Sequence, residues 1–180
     1  MIFSKTYADA VAKLRVTCGF VLVAAFLWLS APTPASLAMG LPVSLVGLAL
    51  RAWAAGHLQK DSTLTESGPY AWVRNPLYIG TLTTAAGFVI ASRRWELGVL
   101  FAAVFILIYL PVVELEEQHL RRLFPAYENY AQRVPKLFPR PPQLPAAKPF
   151  RFSQYKHNRE YEAALGFVAG VALLAWKAWR

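Results

Sequence analysis

The chain has 180 residues, of which 56 % are hydrophobic and 16 % are charged, whereas a soluble domain has about 25 % charged residues. This composition excludes a disordered chain, and the single cysteine, Cys18, excludes a disulfide scaffold within the chain. The formal net charge of +9 suits nucleic acid or an anionic membrane surface, and the apolar excess favours the membrane.

Long uncharged stretches predict membrane-spanning helices. A span needs about 17–25 apolar residues, and the stretches are continuous rather than alternating, which favours helices over strands. The sequence predicts helices at 16–31, 36–56, 77–92 and 96–113. A fifth, at 162–179, depends on Lys177 and Arg180 reaching an interface. The predicted fold is therefore an all-α integral membrane bundle of about five helices.

Basic residues beside the spans predict the orientation. Lys5, Lys13 and Arg15 place the N-terminus in the cytoplasm, and the loops at 57–76 and 114–140 then share that face, although Arg93 and Arg94 violate the rule. An alternative interpretation is a signal peptide cleaved near residues 36–38.

A change in composition near residue 140 predicts two parts, a membrane core at 1–140 and a second part at 141–180. Six prolines between 135 and 149 exclude a continuous helix there, and we expect an extended segment. Basic residues interleaved with aromatics indicate an anchor to anionic lipid, with no nucleic acid partner, since no nucleic-acid fold signature accompanies them. The second part consists of this surface segment and the last apolar helix. The interleaved residues are Arg140, Lys148, Phe150, Arg151, Phe152, Tyr155, Lys156 and Arg159.

The first polar constellation is the stretch from Gly68 to Gly80. Gly68 and Pro69 predict a turn, Pro76 suits the first turn of a helix, and Gly80 permits the close approach of a backbone or a ligand. A plain loop followed by a helix start is the simpler interpretation of the same residues.

The second constellation is Glu114, Glu116 and Glu117, directly after the fourth predicted span. Carboxylates at a membrane boundary are costly to desolvate, so they indicate either a solvated helix end, with Glu117 paired to Arg121, or contacts with a ligand's cationic groups or hydroxyls. The three histidines are scattered, which predicts no metal site.

These two blocks resemble the signatures of the isoprenylcysteine carboxyl methyltransferase family, which also includes phospholipid N-methyltransferases. Residues 68–80 are similar to that family's loop Gly-x-Tyr-Ala-Trp-x-Arg-His-Pro-x-Tyr-x-Gly. The second family block is matched by Glu116, Glu117, Leu120, Phe124, Tyr127, Tyr130 and Arg133-Val134-Pro135. The resemblance spans about residues 45–140.

The resemblance implies methyl transfer from S-adenosylmethionine, bound from the cytoplasm, to a lipophilic acceptor from the bilayer. The acceptor could be a prenylated cysteine, a phospholipid or a small thiol. By this likeness the catalytic residues are Arg74, Tyr78 and Glu117. The implied cofactor-binding residues are Gly68, Pro69, Tyr70, Asn75, Pro76, Tyr78, Gly80, Glu116 and Glu117.

The chain departs from the family pattern at two positions. Asn75 stands where the family has histidine, and an asparagine side chain does not titrate near neutral pH; Pro125 replaces a glycine. Two alternatives stay open beside the methyltransferase. A resemblance in membrane architecture to some sterol reductases leaves a membrane reductase open, and Asn75 leaves a non-catalytic lipid-binding membrane protein open.

Overall fold

The structure is a computed structural model that describes residues 3–142 and 148–180. Its main helices are α1 (Lys5–Leu29), α2 (Pro34–Ala55), α3 (Pro76–Ser92), α4 (Trp95–Val104), α5 (Leu110–Leu123), α6 (Tyr127–Arg133), α7 (Phe152–His157) and α8 (Tyr161–Ala178). A short 3₁₀ turn covers Gly68–Ala71, and a π-helical turn, Phe105–Tyr109, joins α4 to α5.

The predicted class, a helical membrane bundle, is confirmed. Lys5–Leu29, Pro34–Ala55, Trp95–Leu123 and Tyr161–Ala178 are each long and apolar enough to cross a membrane, and the apolar helix Pro76–Ser92 is shorter. The last helix, which the sequence made conditional on its flanking cations, thus meets the length and composition of a span. The orientation of the helices in the membrane stays a prediction.

Two predicted boundaries were wrong because charge was taken to end a helix. Helix α1 begins at Lys5 rather than residue 16, and the Ser4 hydroxyl accepts a hydrogen bond from the Tyr7 amide at 3.3 Å. The fourth apolar helix continues to Leu123, so its three glutamates lie inside a helix rather than after its end. Lysine, arginine and glutamate are good helix formers, so their charge limits burial in lipid and leaves the helix intact.

The chain folds as two compact units. Unit 1 comprises Met1–Pro42, Ala85–His119 and Val171–Arg180, and unit 2 comprises Val43–Thr84 and Leu120–Gly170. The division between residues 1–140 and 141–180 stays a prediction.

Unit 1 is built on an apolar cluster of Leu37, Ala91 and Leu174, against which Phe26 and Phe88 pack. The π-helical turn frees backbone groups from the regular ladder, and the Tyr7 hydroxyl donates to the Leu107 carbonyl at 2.8 Å.

Two cations of unit 1 bind the C-terminal end of helix α1. Lys177 Nζ donates to the Leu27 and Ser30 carbonyls at 2.8 and 2.7 Å, and Arg94 Nε donates to the Leu29 carbonyl at 3.0 Å. A helix C-terminus carries partial negative charge and unpaired carbonyls. Arg94 violates the orientation rule, and capping gives it a structural reason to be where it is. Lys177, which was expected to reach a membrane interface, also caps the C-terminal end of helix α1.

In unit 2, helices α2 and α3 approach closely through small residues. A Cβ atom at Gly47 would lie 2.4 Å from the Thr84 amide nitrogen, and the Ser44 hydroxyl donates to the Thr84 carbonyl at 2.9 Å. Small residues allow such approach in membrane helices. This contact fixes the direction in which α3 leaves the preceding loop.

Candidate functional site

The predicted loop forms a tight, buried turn in unit 2. Gly68 has φ of +59°, a conformation that favours glycine, and Gly68, Pro69 and Tyr70 are buried. A Cβ atom at Gly68 would lie 2.7 Å from the His57 imidazole. Backbone conformation and the packed histidine therefore both require glycine at the start of the turn.

The second half of the other predicted block docks directly on this loop. The Tyr130 hydroxyl donates to the Tyr70 carbonyl at 2.8 Å, and the Arg74 amide donates to the Pro135 carbonyl at 2.9 Å. The ion pair between Arg133 Nη2 and Glu66 Oε2, at 2.8 Å, adds a side-chain link. Two stretches separated by about 60 residues thus hold one another through backbone and side-chain bonds.

Beneath these bonds lies an apolar cluster. Tyr127, Tyr130 and Val134 are buried, and Leu64 and Phe124 pack against them. Burial raises the pKa of the Tyr130 hydroxyl above its ordinary value of 10.0, with the neighbouring Tyr127 and Tyr70 adding to the rise. Tyr130 therefore stays a neutral hydrogen-bond donor to the loop at neutral pH.

Arg74 and Asn75 sit at the end of the loop, immediately before helix α3. The Nε atom of the Arg74 guanidinium is buried, while the residue as a whole is half-buried. The Asn75 side-chain amide donates to the Lys136 carbonyl at 3.2 Å. Asparagine, at the position where the family pattern has histidine, thus joins the loop to the second block.

The first turns of α3 carry the remaining loop-side candidates. Pro76 begins the helix, as predicted, and is buried; Tyr78 is half-buried. A Cβ atom at Gly80 would lie 2.5 Å from Arg51 Cγ and 2.8 Å from the Gly47 carbonyl oxygen. Packing against helix α2 therefore accounts for this glycine.

The carboxylates lie in unit 1 and differ among themselves. Glu114 and Glu117, one helical turn apart, are each 8 % exposed, whereas Glu116 is exposed, with Arg15 Nη1 at 4.0 Å from its Oε1. The amide of Phe3 donates to Glu114 Oε2 at 3.4 Å. The buried pair is thus Glu114 and Glu117, a pairing different from the adjacent Glu116 and Glu117 that the resemblance suggested.

The structure brings most of the predicted residues into one cluster. The loop candidates, from Gly68 to Gly80, lie in unit 2 beside the second block from Tyr127 to Lys136. Glu116 and Glu117 belong to unit 1, and their convergence with Arg74 stays a prediction.

Two residues upstream of the loop, His57 and Arg51, lie in the stretch covered by the resemblance, but sequence reasoning assigned them no role. His57 packs on Gly68, and Arg51 packs on Gly80 while it pairs with Glu160. A signal for the second was present, because an arginine inside an apolar helix requires a carboxylate or carbonyl partner. Among residues 3–142 and 148–180, no group of three or more His, Cys, Asp or Glu side chains is placed to hold a metal ion.

In the part of the chain that the structure describes, four helices long and apolar enough to cross a membrane, together with a loop held by hydrogen bonds from the second block, define an integral membrane protein. Comparison with known families then gives the assignment. A model of the phospholipid methyltransferase family matches residues 14–127, which is more than half of the chain. The chain belongs to the phospholipid methyltransferase family, and the family assigned from the two sequence blocks is confirmed.

Three curated relatives illustrate the likeness. The nickel-cobalt-cadmium resistance protein NccN of Alcaligenes xylosoxydans xylosoxydans is 32 % identical over 63 % of this chain and 53 % of its own. The cobalt-zinc-cadmium resistance protein CzcN of Cupriavidus metallidurans is 34 % identical over 57 % of this chain and 47 % of its own.

The third relative is named as an enzyme. The protein-S-isoprenylcysteine O-methyltransferase of Schizosaccharomyces pombe is 32 % identical over 47 % of this chain and 36 % of its own. The chain spans about half the length of the first two relatives. No solved structure matches it.

Proposed function

We propose that this protein is an S-adenosylmethionine-dependent methyltransferase that acts on a lipophilic acceptor in the membrane. Family membership supports methyl transfer. The observation that carries the proposal is the locked loop: the backbone of Tyr70 and Arg74 is fixed by Tyr130 and Pro135 of the second family block. A loop fixed on both sides can orient reactants, and orientation supplies about 7–11 kcal/mol in well-aligned reactions.

The residues present suit this cofactor chemically. When bound, S-adenosylmethionine supplies a methyl group on a sulfonium, and the acceptor's electron pair forms the new bond to carbon while the S–C electron pair stays on sulfur. A buried carboxylate such as Glu117 offsets a sulfonium charge or accepts from ribose hydroxyls. The aromatic rings of Tyr70 and Tyr78 can contact an adenine or face a cation. The binding set that the resemblance implies consists of the loop residues Gly68, Pro69, Tyr70, Asn75, Pro76, Tyr78 and Gly80 together with Glu116 and Glu117.

Burial separates the two adjacent glutamates. Glu117 is 8 % exposed, whereas the side chain of Glu116 is 49 % exposed near Arg15. Solvent and the nearby arginine weaken the field that Glu116 can exert on a ligand. We therefore propose Glu117 as the stronger cofactor contact of the two.

We propose Arg74 as the residue that orients the acceptor. A guanidinium can hold a carboxylate or phosphate through two parallel hydrogen bonds, a geometry that lysine does not reproduce. Its backbone is fixed by the bond from its amide to the Pro135 carbonyl. Both acceptor classes suggested by the relatives and the family, a prenylated cysteine carboxylate and a phospholipid, present such an anion.

Calorimetric titration of the detergent-solubilised protein with S-adenosylhomocysteine tests the cofactor. We expect saturable binding to one site, and failure of the folded protein to bind would contradict the proposal. Methyl transfer from labelled cofactor into a membrane lipid extract then tests the reaction and identifies the acceptor.

The role of Arg74 is tested by Arg74→Ala against Arg122→Ala, which removes an exposed arginine of the same unit. We expect Arg74→Ala to lower turnover about 100-fold, the scale of lost alignment, while affinity for S-adenosylhomocysteine changes little. Arg122→Ala should retain both. Near wild-type turnover in Arg74→Ala would overturn the assignment.

A further inference from the structure

The segment 148–160, here termed the C-terminal strap, lies beyond the residues that the family model matches. It nevertheless forms hydrogen bonds to the end of helix α2, which leads into the predicted loop. The Arg151 amide donates to the Gly56 carbonyl at 2.9 Å, and the Asn158 side-chain amide donates to the Ala55 and Leu58 carbonyls at 2.8 and 2.9 Å. These carbonyls lie at the C-terminal end of helix α2 and just beyond it. The strap therefore caps the helix that precedes the loop.

One anchor reaches the start of the loop. A Cβ atom at Gly56 would lie 2.1 Å from the Phe150 ring, so that ring packs directly on the backbone. Phe150 also makes an edge contact with the His57 ring, and His57 Nε2 lies 3.1 Å from the Lys148 carbonyl oxygen. His57 in turn packs on Gly68. The strap thus holds the side chain on which the turn rests.

The stronger anchor reaches the end of the loop. Glu160 is 6 % exposed and binds Arg51 through both oxygens, at 2.6 Å to Nε and 3.0 Å to Nη2. Arg51 Nη1 donates to Thr81 Oγ1 at 2.5 Å and to the Leu77 carbonyl at 3.5 Å. Glu160 thereby orients a guanidinium that binds the first turns of helix α3.

We propose that Glu160 is a positioning residue for the predicted loop, residues 68–80. Through Arg51 it fixes the first turns of α3, which carry Tyr78 and Gly80. Removal of one partner of a buried ion pair leaves an uncompensated charge, and Arg51 would then leave Gly80 and Thr81. This inference rests on the proposed function only for the identity of the ligand. The mechanical coupling itself can be measured without a ligand.

The test compares Glu160→Gln with Glu162→Gln, a control at an exposed glutamate two positions away that pairs with Arg159. Hydrogen exchange of the peptides covering 68–81 and affinity for S-adenosylhomocysteine are measured on the full chain. We expect Glu160→Gln to speed exchange in those peptides and to weaken binding, each about tenfold, and Glu162→Gln to change neither.

A double variant, Arg51→Met with Glu160→Leu, separates positioning from overall stability. Apolar replacement of a buried ion pair is often neutral for folding, so the thermal midpoint should return toward the wild-type value. Affinity and loop protection should stay reduced. This variant also decides the question if Glu160→Gln fails to fold.

Three outcomes are distinguishable. If wild type binds no S-adenosylhomocysteine but Glu160→Gln still loosens residues 68–81, the proposed cofactor is wrong and the positioning role stands. If Glu160→Gln matches Glu162→Gln in both measurements, the positioning role is wrong. It is also wrong if the double variant regains wild-type affinity together with its midpoint, because Glu160 would then act only on stability.

Discussion

Units 1 and 2 stabilise their helices in different ways. Unit 1 depends on apolar packing among residues such as Leu37, Ala91 and Leu174, with cations capping a helix end. Unit 2 adds a network of directional bonds around the loop, including those from Tyr130 and Asn75 to backbone carbonyls. Apolar packing tolerates exchange of similar side chains, whereas a directional bond fails when its donor is removed. Sensitivity to substitution should therefore concentrate in unit 2.

The largest expected effect in this comparison comes from Gly68→Ala. The substitution places a Cβ atom at a positive φ and 2.7 Å from the His57 ring. Left-handed strain costs about 1–2 kcal/mol, to which the displacement of His57 adds, and affinity for S-adenosylhomocysteine should fall with loop order. Unfolding and calorimetric titration measure the two effects.

Gly166→Ala in helix α8 is the matched control, because a Cβ atom there meets nothing within 4 Å. Helix propensity should make this change neutral or stabilising by about 0.5–1 kcal/mol. Equal behaviour of the two variants would show that the turn does not depend on its glycine.

A smaller effect is expected from Tyr130→Phe. The variant loses the hydrogen bond to the Tyr70 carbonyl, which should lower the free energy of unfolding by about 1 kcal/mol at neutral pH. The measurement is unfolding in detergent as a function of pH.

The pH dependence of this effect follows from the raised pKa of the Tyr130 hydroxyl. The stability contributed by the neutral side chain is fully present below the unfolded value near pH 10 and is lost as pH rises above it toward the folded value. The difference between wild type and Tyr130→Phe should accordingly shrink in that alkaline range. A difference that grows with alkaline pH would contradict the assigned environment.

The smallest effect should come from unit 1. Lys177→Met removes a cap from helix α1 and should cost about 0.5–1 kcal/mol of stability, with affinity for S-adenosylhomocysteine unchanged. If Lys177→Met lost as much affinity for S-adenosylhomocysteine as Gly68→Ala, the expectation that unit 2 is the more sensitive unit would be wrong.

The sequence predicted the helices and the loop well because uncharged stretches and turn residues report local physics. Pro76 begins α3 as expected. The predicted start of α1 was too late in the chain, because Lys13 and Arg15 were taken to end the helix although they lie within it. The burial of Glu114 rather than Glu116 depends on which helix face meets neighbours, and that is a tertiary property.

The partners of the loop were harder to predict because they are distant in sequence. Glu160 lies 109 residues from Arg51, and neither periodicity nor spacing connects them. The proline-rich segment has no helix in its described parts, as expected, and Pro145 lies outside the described residues. Phe150, expected to face lipid as part of an anchor, packs on Gly56 and His57. Membrane anchoring by the basic residues stays a prediction.

The central proposal, which the family resemblance implies, is that residues 68–80 and Glu117 contact one sulfonium nucleotide. A double-mutant cycle with Tyr78→Phe and Glu117→Gln on the affinity for S-adenosylhomocysteine tests it most directly, with Glu116→Gln as the control for charge. We expect each single change to weaken binding and the two to couple by about 0.5–3 kcal/mol, as groups that share a ligand do. Glu116→Gln should leave the affinity unchanged. Strict additivity, or an affinity indifferent to Glu117, would contradict the claim.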